Sequence, residues 1–275
     1  MFLIFELLCK THFFLALIIL NFAKYFLAFM KILVCMSVVP DTTTKITFTD
    51  NNTRFNTQGV QFIINPYDEL SLTKALELTE KNGGTVTVAT VGLADADAVI
   101  RKALAIGAND AIRINAEPKD GQFVAEQLSA IIKANGYDMV LTGRESIDYN
   151  GGQVCGLLGE MLGWPSVNVC TQMDLVDGKA VFERDIDGGR QQVSSELPVV
   201  ASAQKDLCEP RIPNMKGIMA ARTKPLTVTE PVSADNSSSY ALFESPAAKQ
   251  AVRLIDAGNA GQLIDILRNE AKIIA

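Results

Sequence analysis

TGRESIDYNGGQVCGLLGEMLGWP, Thr142 to Pro165, decides the fold. The apolar run Tyr137 to Leu141 leads into a polar, glycine-bearing loop, and a helical pattern starts at about Gly152. Strand, loop and helix N-terminus in that order leave several backbone N–H groups without intrahelical partners. They make a natural anion site, which suits a nucleotide phosphate. Gly151 and Gly152 allow close backbone approach, and Asn150 and Gln153 add further N–H groups. Asp148 reads as a loop organiser, because its charge would repel a phosphate. An ordinary strand-to-helix turn would give the same pattern, so residue type alone leaves both readings open.

Outward from this stretch the pattern repeats. Toward the N-terminus, Lys31 to Val39 reads as a first strand, near-continuously apolar and so buried on both faces. A Thr/Asn-rich stretch with short strands at Lys45 to Thr49 and Val60 to Ile64 follows. Tyr67 to Lys81 is an amphipathic helix, directing Leu70, Ala75, Leu76 and Leu78 to the core. Asn65-Pro66 at its entrance suits a cap and a first-turn proline. Thr85 to Val91 is a strand, Ala94 to Ile106 a helix, Ala111 to Ile114 a strand and Gln122 to Ala134 a helix. This alternation predicts stacked βαβ units around a mostly parallel sheet in a three-layer α/β fold.

Beyond Pro165 the rhythm changes. Val167 to Leu175, Lys179 to Arg184, Arg190 to Ser195 and Val199 to Ala203 read as strands, with turns at Asp177-Gly178 and Asp187-Gly188-Gly189. They predict a small antiparallel extension without a second core. Residues 30–231 then form one nucleotide-binding α/β domain. Residues 232–275 form a C-terminal arm, with helical periodicity over Ala247 to Ala257 and Gln262 to Ala271.

Residues 1–29 are an apolar leader. A secretory signal would need a clear small-residue cleavage site, and Asn21 and Lys24 interrupt a membrane span. Met30-Lys31-Ile32-Leu33-Val34 reads as a start followed at once by a core strand, so the leader is expected to lie outside the mature protein.

Composition narrows the chemistry. The 275 residues carry a net charge of -6 and a single histidine, His12, inside the leader. Catalytic triads and histidine metal sites are therefore absent from the body, and an acidic chain argues against a nucleic-acid face. No metal ligands or catalytic residues are assigned. The five cysteines lack CxxC spacing, which fits a reducing, cytoplasmic setting. Neither GxGxxG after the first strand nor a P-loop is present.

Ligands of doubly wound sheets bind beyond the carboxyl ends of the strands. Those ends are Cys35 to Val39, Asn65, Pro66, Tyr67 and Asp68 at a helix entrance, Val91-Gly92, and Gly143 to Gln153. All four segments are expected to converge on one nucleotide. A separate feature is CEPRIPNMKGIMAARTKPL, Cys208 to Leu226, where Met215, Ile218 and Met219 stand among Arg211 and other cations. Its methionines either fill the core or tip a protruding hook that docks on partners.

Several ordered motifs resemble the electron transfer flavoprotein beta subunit: Asn65-Pro66-Tyr67-Asp68-Glu69, RKALAIGANDAIRI from Arg101, TGRESIDYNGGQ, Leu162-Gly163-Trp164-Pro165, ERDIDGGRQ from Glu183 and EPRIPNMKGIMAARTKP from Glu209. The likeness runs from Met30 to the C-terminus. It implies an adenine-nucleotide hydrolase-like fold and an electron-carrier subunit without catalysis of its own. An alpha subunit would carry the redox-active FAD, accept electrons from acyl-CoA or related dehydrogenases, and pass them to a quinone oxidoreductase or another acceptor. Contact with a membrane would be indirect.

It further implies structural AMP on Cys35, Asn65 to Asp68, Val91 and Gly143 to Gln153, with FAD replacing AMP in bifurcating members. A recognition loop falls on residues 208–221, with Met215 at the family's leucine anchor, and the arm embraces the alpha subunit. A hydrolase or ligase of the same fold is the runner-up, marked by release of phosphate or pyrophosphate from ATP.

Overall fold

The computed structural model describes residues 29–234, 238–248 and 251–274; apart from Phe29 the leader lies outside them. In chain order the strands are β1 (Met30–Cys35), β2 (Val38–Pro40), β3 (Phe48–Thr49), β4 (Arg54–Phe55), β5 (Phe62–Ile64), β6 (Gly84–Val91) and β7 (Asp110–Ile114). They continue with β8 (Met139–Gly143), β9 (Ser166–Val176), β10 (Lys179–Ile186), β11 (Gly189–Ser195), β12 (Val199–Ala203) and β13 (Leu226–Thr229). The helices are α1 (Pro66–Asn82), α2 (Asp97–Ile106), α3 (Gly121–Asn135), α4 (Val154–Leu162), α5 (Met215–Ala221) and α6 (Ala260–Asp265).

Nine strands form one sheet in the order β11-β10-β9-β12-β8-β1-β6-β7-β13. From β9 to β13 every pairing is parallel, while β10 pairs antiparallel with both β9 and β11. The expected extension is therefore the continued edge of the main sheet. Asp177 and Gly178, both at positive φ (50° and 80°), make the tight turn that reverses the chain between β9 and β10.

Alternate residues of β1 explain the three layers. Ile32 and Val34 pack with Leu72, Ile100 and Leu104 of α1 and α2. Leu33 and Cys35 pack on the opposite face with Phe123, Leu128, Ile132 and Leu158 of α3 and α4. Both faces are thus dry, as the unbroken apolar run of β1 requires. Each large aliphatic side chain so buried contributes about 1.5–3 kcal/mol.

The chain steps from β1 to β6 to β7 along one direction, then returns through α3 to β8 on the other side of β1. The strand order reverses between β1 and β8, and in sheets of this kind the crevice for a ligand lies beyond the carboxyl ends at such a point.

Some elements differ from expectation. The strand predicted over Lys31 to Val39 divides at Met36-Ser37. Its second part, β2, leaves the main sheet to pair with β5, because Ser37 turns to meet α1. The helix predicted from Ala94 begins as a 3-10 turn, Ala94–Ala96. In the predicted helix Ala247 to Ala257, residues 247, 248 and 251–256 form none, and residues 249–250 lie outside the described ones. Val252 and Leu254 stay 81% and 90% exposed; a short amphipathic segment without a surface to bury against does not hold a helix. The periodicity from Gln262 is realised by α6 and a π turn, Ile266–Glu270.

The described residues divide into two compact units. The larger comprises those up to Thr47 and from Asn56 to Tyr240; the smaller joins Phe48–Phe55 to the residues after Tyr240. Within the smaller unit Phe48 stacks on Phe243 at 4.9 Å between ring centroids, and the Phe243 N–H donates to Asn52 O at 2.8 Å. No helix among the described residues is long and apolar enough to cross a membrane.

Candidate functional site

The crevice is built around the first turn of α1. Pro66 takes the first helical position, where its missing N–H costs nothing. Asn65 precedes it but does not cap α1 with its side chain. Its Nδ2 instead donates to Glu145 O at 2.8 Å, and its Oδ1 accepts from Ile147 N at 3.4 Å. Asp68, only 3% exposed, accepts from Ser37 N and Gly143 N, each at 2.7 Å. One carboxylate thus ties the loop after β1 to the end of β8. Burial pushes its pKa up to about 7 against the lowering effect of those amides and Asn65, with Asp148 adding to the rise. Ser71 reinforces the join by donating its hydroxyl to Thr142 O at 2.6 Å.

The loop after β8 closes on itself. Ser146 N donates to Gly151 O at 3.1 Å, and the Ser146 hydroxyl donates to Asp148 Oδ1 at 2.5 Å. Asp148 also accepts from Tyr149 N at 3.1 Å, so it holds the loop's shape. Asn150 adopts the left-handed region at φ 53°, which its short polar side chain tolerates. A Cβ on Gly151 would overlap the Tyr149 ring, and one on Gly152 would lie 3.2 Å from Arg144 O. Gln153 precedes α4 without capping it, and the first turn of α4 holds no acidic side chain. The positive end of that helix is therefore not offset by a carboxylate of its own first turn.

Cys35 and Val91 complete the rim at the ends of β1 and β6. These strands are neighbours, with Cys35 opposite Ala89. Both residues are buried. Burial drives the Cys35 thiol well above the ordinary range, and Cys155 on α4 up to about 12; neither can supply a thiolate nucleophile near neutral pH. Thr90, beside Val91, keeps a buried hydroxyl with no hydrogen-bond partner among the described residues.

The site thus combines a helix N-terminus without a side-chain cap and glycines that admit close approach, while its two carboxylates are held by hydrogen bonds. The described residues contain no histidine and no cluster of three or more metal-binding side chains. This arrangement can hold a polar, phosphate-bearing ligand.

A family model described as the electron transfer flavoprotein domain matches residues 53–234. Electron transfer flavoprotein subunit beta of Bacillus subtilis (strain 168) is 34% identical over 259 residues, covering 89% of this chain and 100% of the relative. The chain belongs to the electron transfer flavoprotein beta-subunit family. The family protein of Syntrophomonas wolfei is 35% identical over 249 residues, covering 89% of this chain and 98% of its own length. A rice relative, named electron transfer flavoprotein subunit beta, mitochondrial, is 30% identical over 256 residues, with 89% and 100% covered.

Of the residues expected in the crevice, Asn65 and Asp68 meet the loop after β8 and Gly143 through hydrogen bonds, Tyr67 lies against Gly143, and Gln153 lies against Gly121. Cys35 and Val91 stand at the ends of neighbouring strands, Pro66 opens α1, and Asp148, Asn150, Gly151 and Gly152 belong to the loop after β8. Ser37, inside the expected segment Cys35 to Val39, meets Asp68 through its amide; Gly121 is a neighbour that the sequence does not point to as directly. A Cβ on Gly121, the first residue of α3, would lie 2.8 Å from Gln153 Nε2, so the N-termini of α3 and α4 converge. The Asp120-Gly121 pair was its signal: Asp120 caps α3 by accepting from Phe123 N at 2.8 Å.

The second predicted feature resolves differently. Met215 and Met219 are 74% and 58% exposed, and Ile218 is also exposed. The reading in which these methionines fill the core is incorrect, because α5 buries its small residue Ala221 and turns its long ones outward. Arg211, expected among the docking cations, forms a two-pronged ion pair with Glu80 of α1 at 2.6 and 2.7 Å.

Proposed function

We propose that this beta subunit holds AMP as a structural cofactor in the crevice between β1 and β8, and pairs with an alpha subunit that carries FAD. The FAD of the alpha subunit supplies the redox chemistry, taking electrons from acyl-CoA or related dehydrogenases and yielding them to a quinone oxidoreductase or other acceptor. This chain binds and orients. The observation that supports the reading is the joining of the loop after β1, the entrance of α1 and the loop after β8 through Asp68 and Asn65, beside a helix N-terminus without a side-chain cap.

The residues present fit an adenine nucleotide. Gly151, Gly152 and the first amides of α4 suit its phosphate. Asp68 and Asn65 hold the walls together rather than reacting. The exposed face of α5, with Met215, Ile218 and Met219, suits docking on an apolar patch of a dehydrogenase. The four described cysteines are all free thiols, in keeping with a cytoplasmic complex.

The test is to purify the native complex, extract its nucleotides and separate them by chromatography. One AMP and one FAD per heterodimer are expected, with this chain co-purifying with its flavin-bearing partner. Two FAD and no AMP would assign the crevice to a second flavin. Release of phosphate from ATP by the isolated chain would instead favour a hydrolase.

A further inference from the structure

Helix α5 and helix α2 cap each other. Arg101, on α2, donates from Nη1 to Ala221 O at 2.8 Å and to Lys224 O at 2.6 Å; these are carbonyls at and just beyond the C-terminus of α5. Lys224, just after α5, donates from Nζ to Leu104 O at 2.9 Å, Gly107 O at 3.3 Å and Ala108 O at 2.6 Å. Those are carbonyls at the C-terminus of α2. Each helix end, where unpaired carbonyls and the negative end of the dipole gather, thus receives a cation from the opposite segment.

Two further contacts complete the seat. Gly217 lies so close to α2 that a Cβ there would overlap Ala105 O. At the other end of the hook Arg211 grips Glu80, and its N–H donates to Thr73 Oγ1 at 3.1 Å. The segment that follows Arg211, residues 212–220, carries the exposed Met215, Ile218 and Met219. A seven-residue helix has no stability of its own, so what α5 packs against fixes where that face points.

We infer that Arg101 and Lys224 are positioning residues: their reciprocal caps, with the close seat of Gly217, set the orientation in which α5 presents its apolar face to a redox partner. This rests on the proposal that α5 docks dehydrogenases. A preset orientation lowers the ordering cost of association, so loss of the clasp should weaken docking and leave electron transfer within a formed complex intact.

The experiment uses the intact heterodimer with a reduced short-chain acyl-CoA dehydrogenase as the probe. Arg101→Gln removes one cap. Gly217→Ala, which alters no charge, lifts α5 from its seat and serves if Arg101→Gln fails to fold. Met219→Asp alters the face itself. Hydrogen–deuterium exchange over residues 215–224 reports order, and the dependence of rate on heterodimer concentration separates KM from kcat.

We expect both clasp variants to speed exchange in 215–224 but not in α1, and to raise KM about tenfold with kcat retained, a factor equal to about 1.4 kcal/mol. Arg101→Lys should restore part of the KM. If Met219→Asp raises KM while exchange and KM stay at their original values in both clasp variants, the clasp does not position the hook and the docking proposal survives. If Met219→Asp leaves KM unchanged, α5 is not the docking face, and the positioning role falls with it.

Discussion

Gly143 and Asp68 are fitted to each other. The N–H of Gly143 donates to Asp68 Oδ1 at 2.7 Å, and a Cβ on residue 143 would overlap that same oxygen and lie 2.7 Å from Tyr67 Cβ. The end of β8 can therefore meet the first turn of α1 only with glycine at its last position. Gly143→Ala should force the two apart at a cost of about 1–3 kcal/mol, the usual range for overpacking. Urea unfolding of the purified complex checks the stability, and nucleotide extraction should show the crevice depleted. A variant with unchanged midpoint and full nucleotide content would show that the contact relaxes freely.

Asp68 should also make stability depend on pH. Its folded pKa of about 7 lies above its ordinary value of 3.8, so between those limits the native state binds the proton more tightly than the unfolded chain. The sign follows: the contribution of this group is fully present below about pH 4 and is lost as pH rises through about 7. Asp68→Asn removes this titration but leaves one of the two amides without an acceptor, costing about 1–3 kcal/mol. Denaturation midpoints of both proteins from pH 4.5 to 8 should differ by an amount that varies across this window. Parallel curves would place the titration elsewhere.

The described cysteines should be inert. Burial raises Cys155 and Cys170 to about 12 and Cys208 to about 11, and holds Cys35 higher still. At pH 8 a thiol with a pKa of about 12 is ionised in roughly one molecule in ten thousand, and only the thiolate attacks alkylating reagents. Iodoacetamide at pH 8 should leave these four residues unmodified in the native protein and label them after unfolding, as mass spectrometry of tryptic peptides will show. Rapid native labelling of Cys155 would mean that α4 opens readily.

Arg211→Ala should have a small effect on stability. The pair with Glu80 is two-pronged but partly open to solvent, with the side chains 33% and 60% exposed, and pairs near the surface are worth about 0–1 kcal/mol. The shift in melting temperature should therefore be slight and should shrink further for the wild-type comparison in 0.5 M salt. A loss several times larger would mean that Arg211 carries packing through its aliphatic stem as well.

Much of the crevice was legible because its parts are local. Tyr137 to Leu141, the loop and the helix after it announce themselves by periodicity and glycine, and Asn65-Pro66 marks a helix entrance by backbone chemistry alone. The hook was half-legible. Two prolines and three long apolar residues in a basic segment showed that it was unusual, but not which way Met215 and Met219 point. The arm was least legible: the helical period of Ala247 to Ala257 is present, yet the described residues of that stretch bury nothing that would hold a helix.

The amino-acid sequence by itself determined the alternation of strands and helices, the burial of β1 on both faces and the absence of histidine from residue 13 onward. Each follows from side-chain type and spacing over a few residues. Only the tertiary structure decided that the Asp68 carboxylate joins Ser37 to Gly143, that Gln153 meets Gly121, and that Arg101 and Lys224 exchange caps between α2 and α5. Those contacts link residues from 31 to 123 positions apart. No local period encodes such pairs; they exist because the reversal of strand order at β1 brings distant strand ends to one edge, and because packing of α5 on α2 brings two unpaired helix ends within reach of two cations.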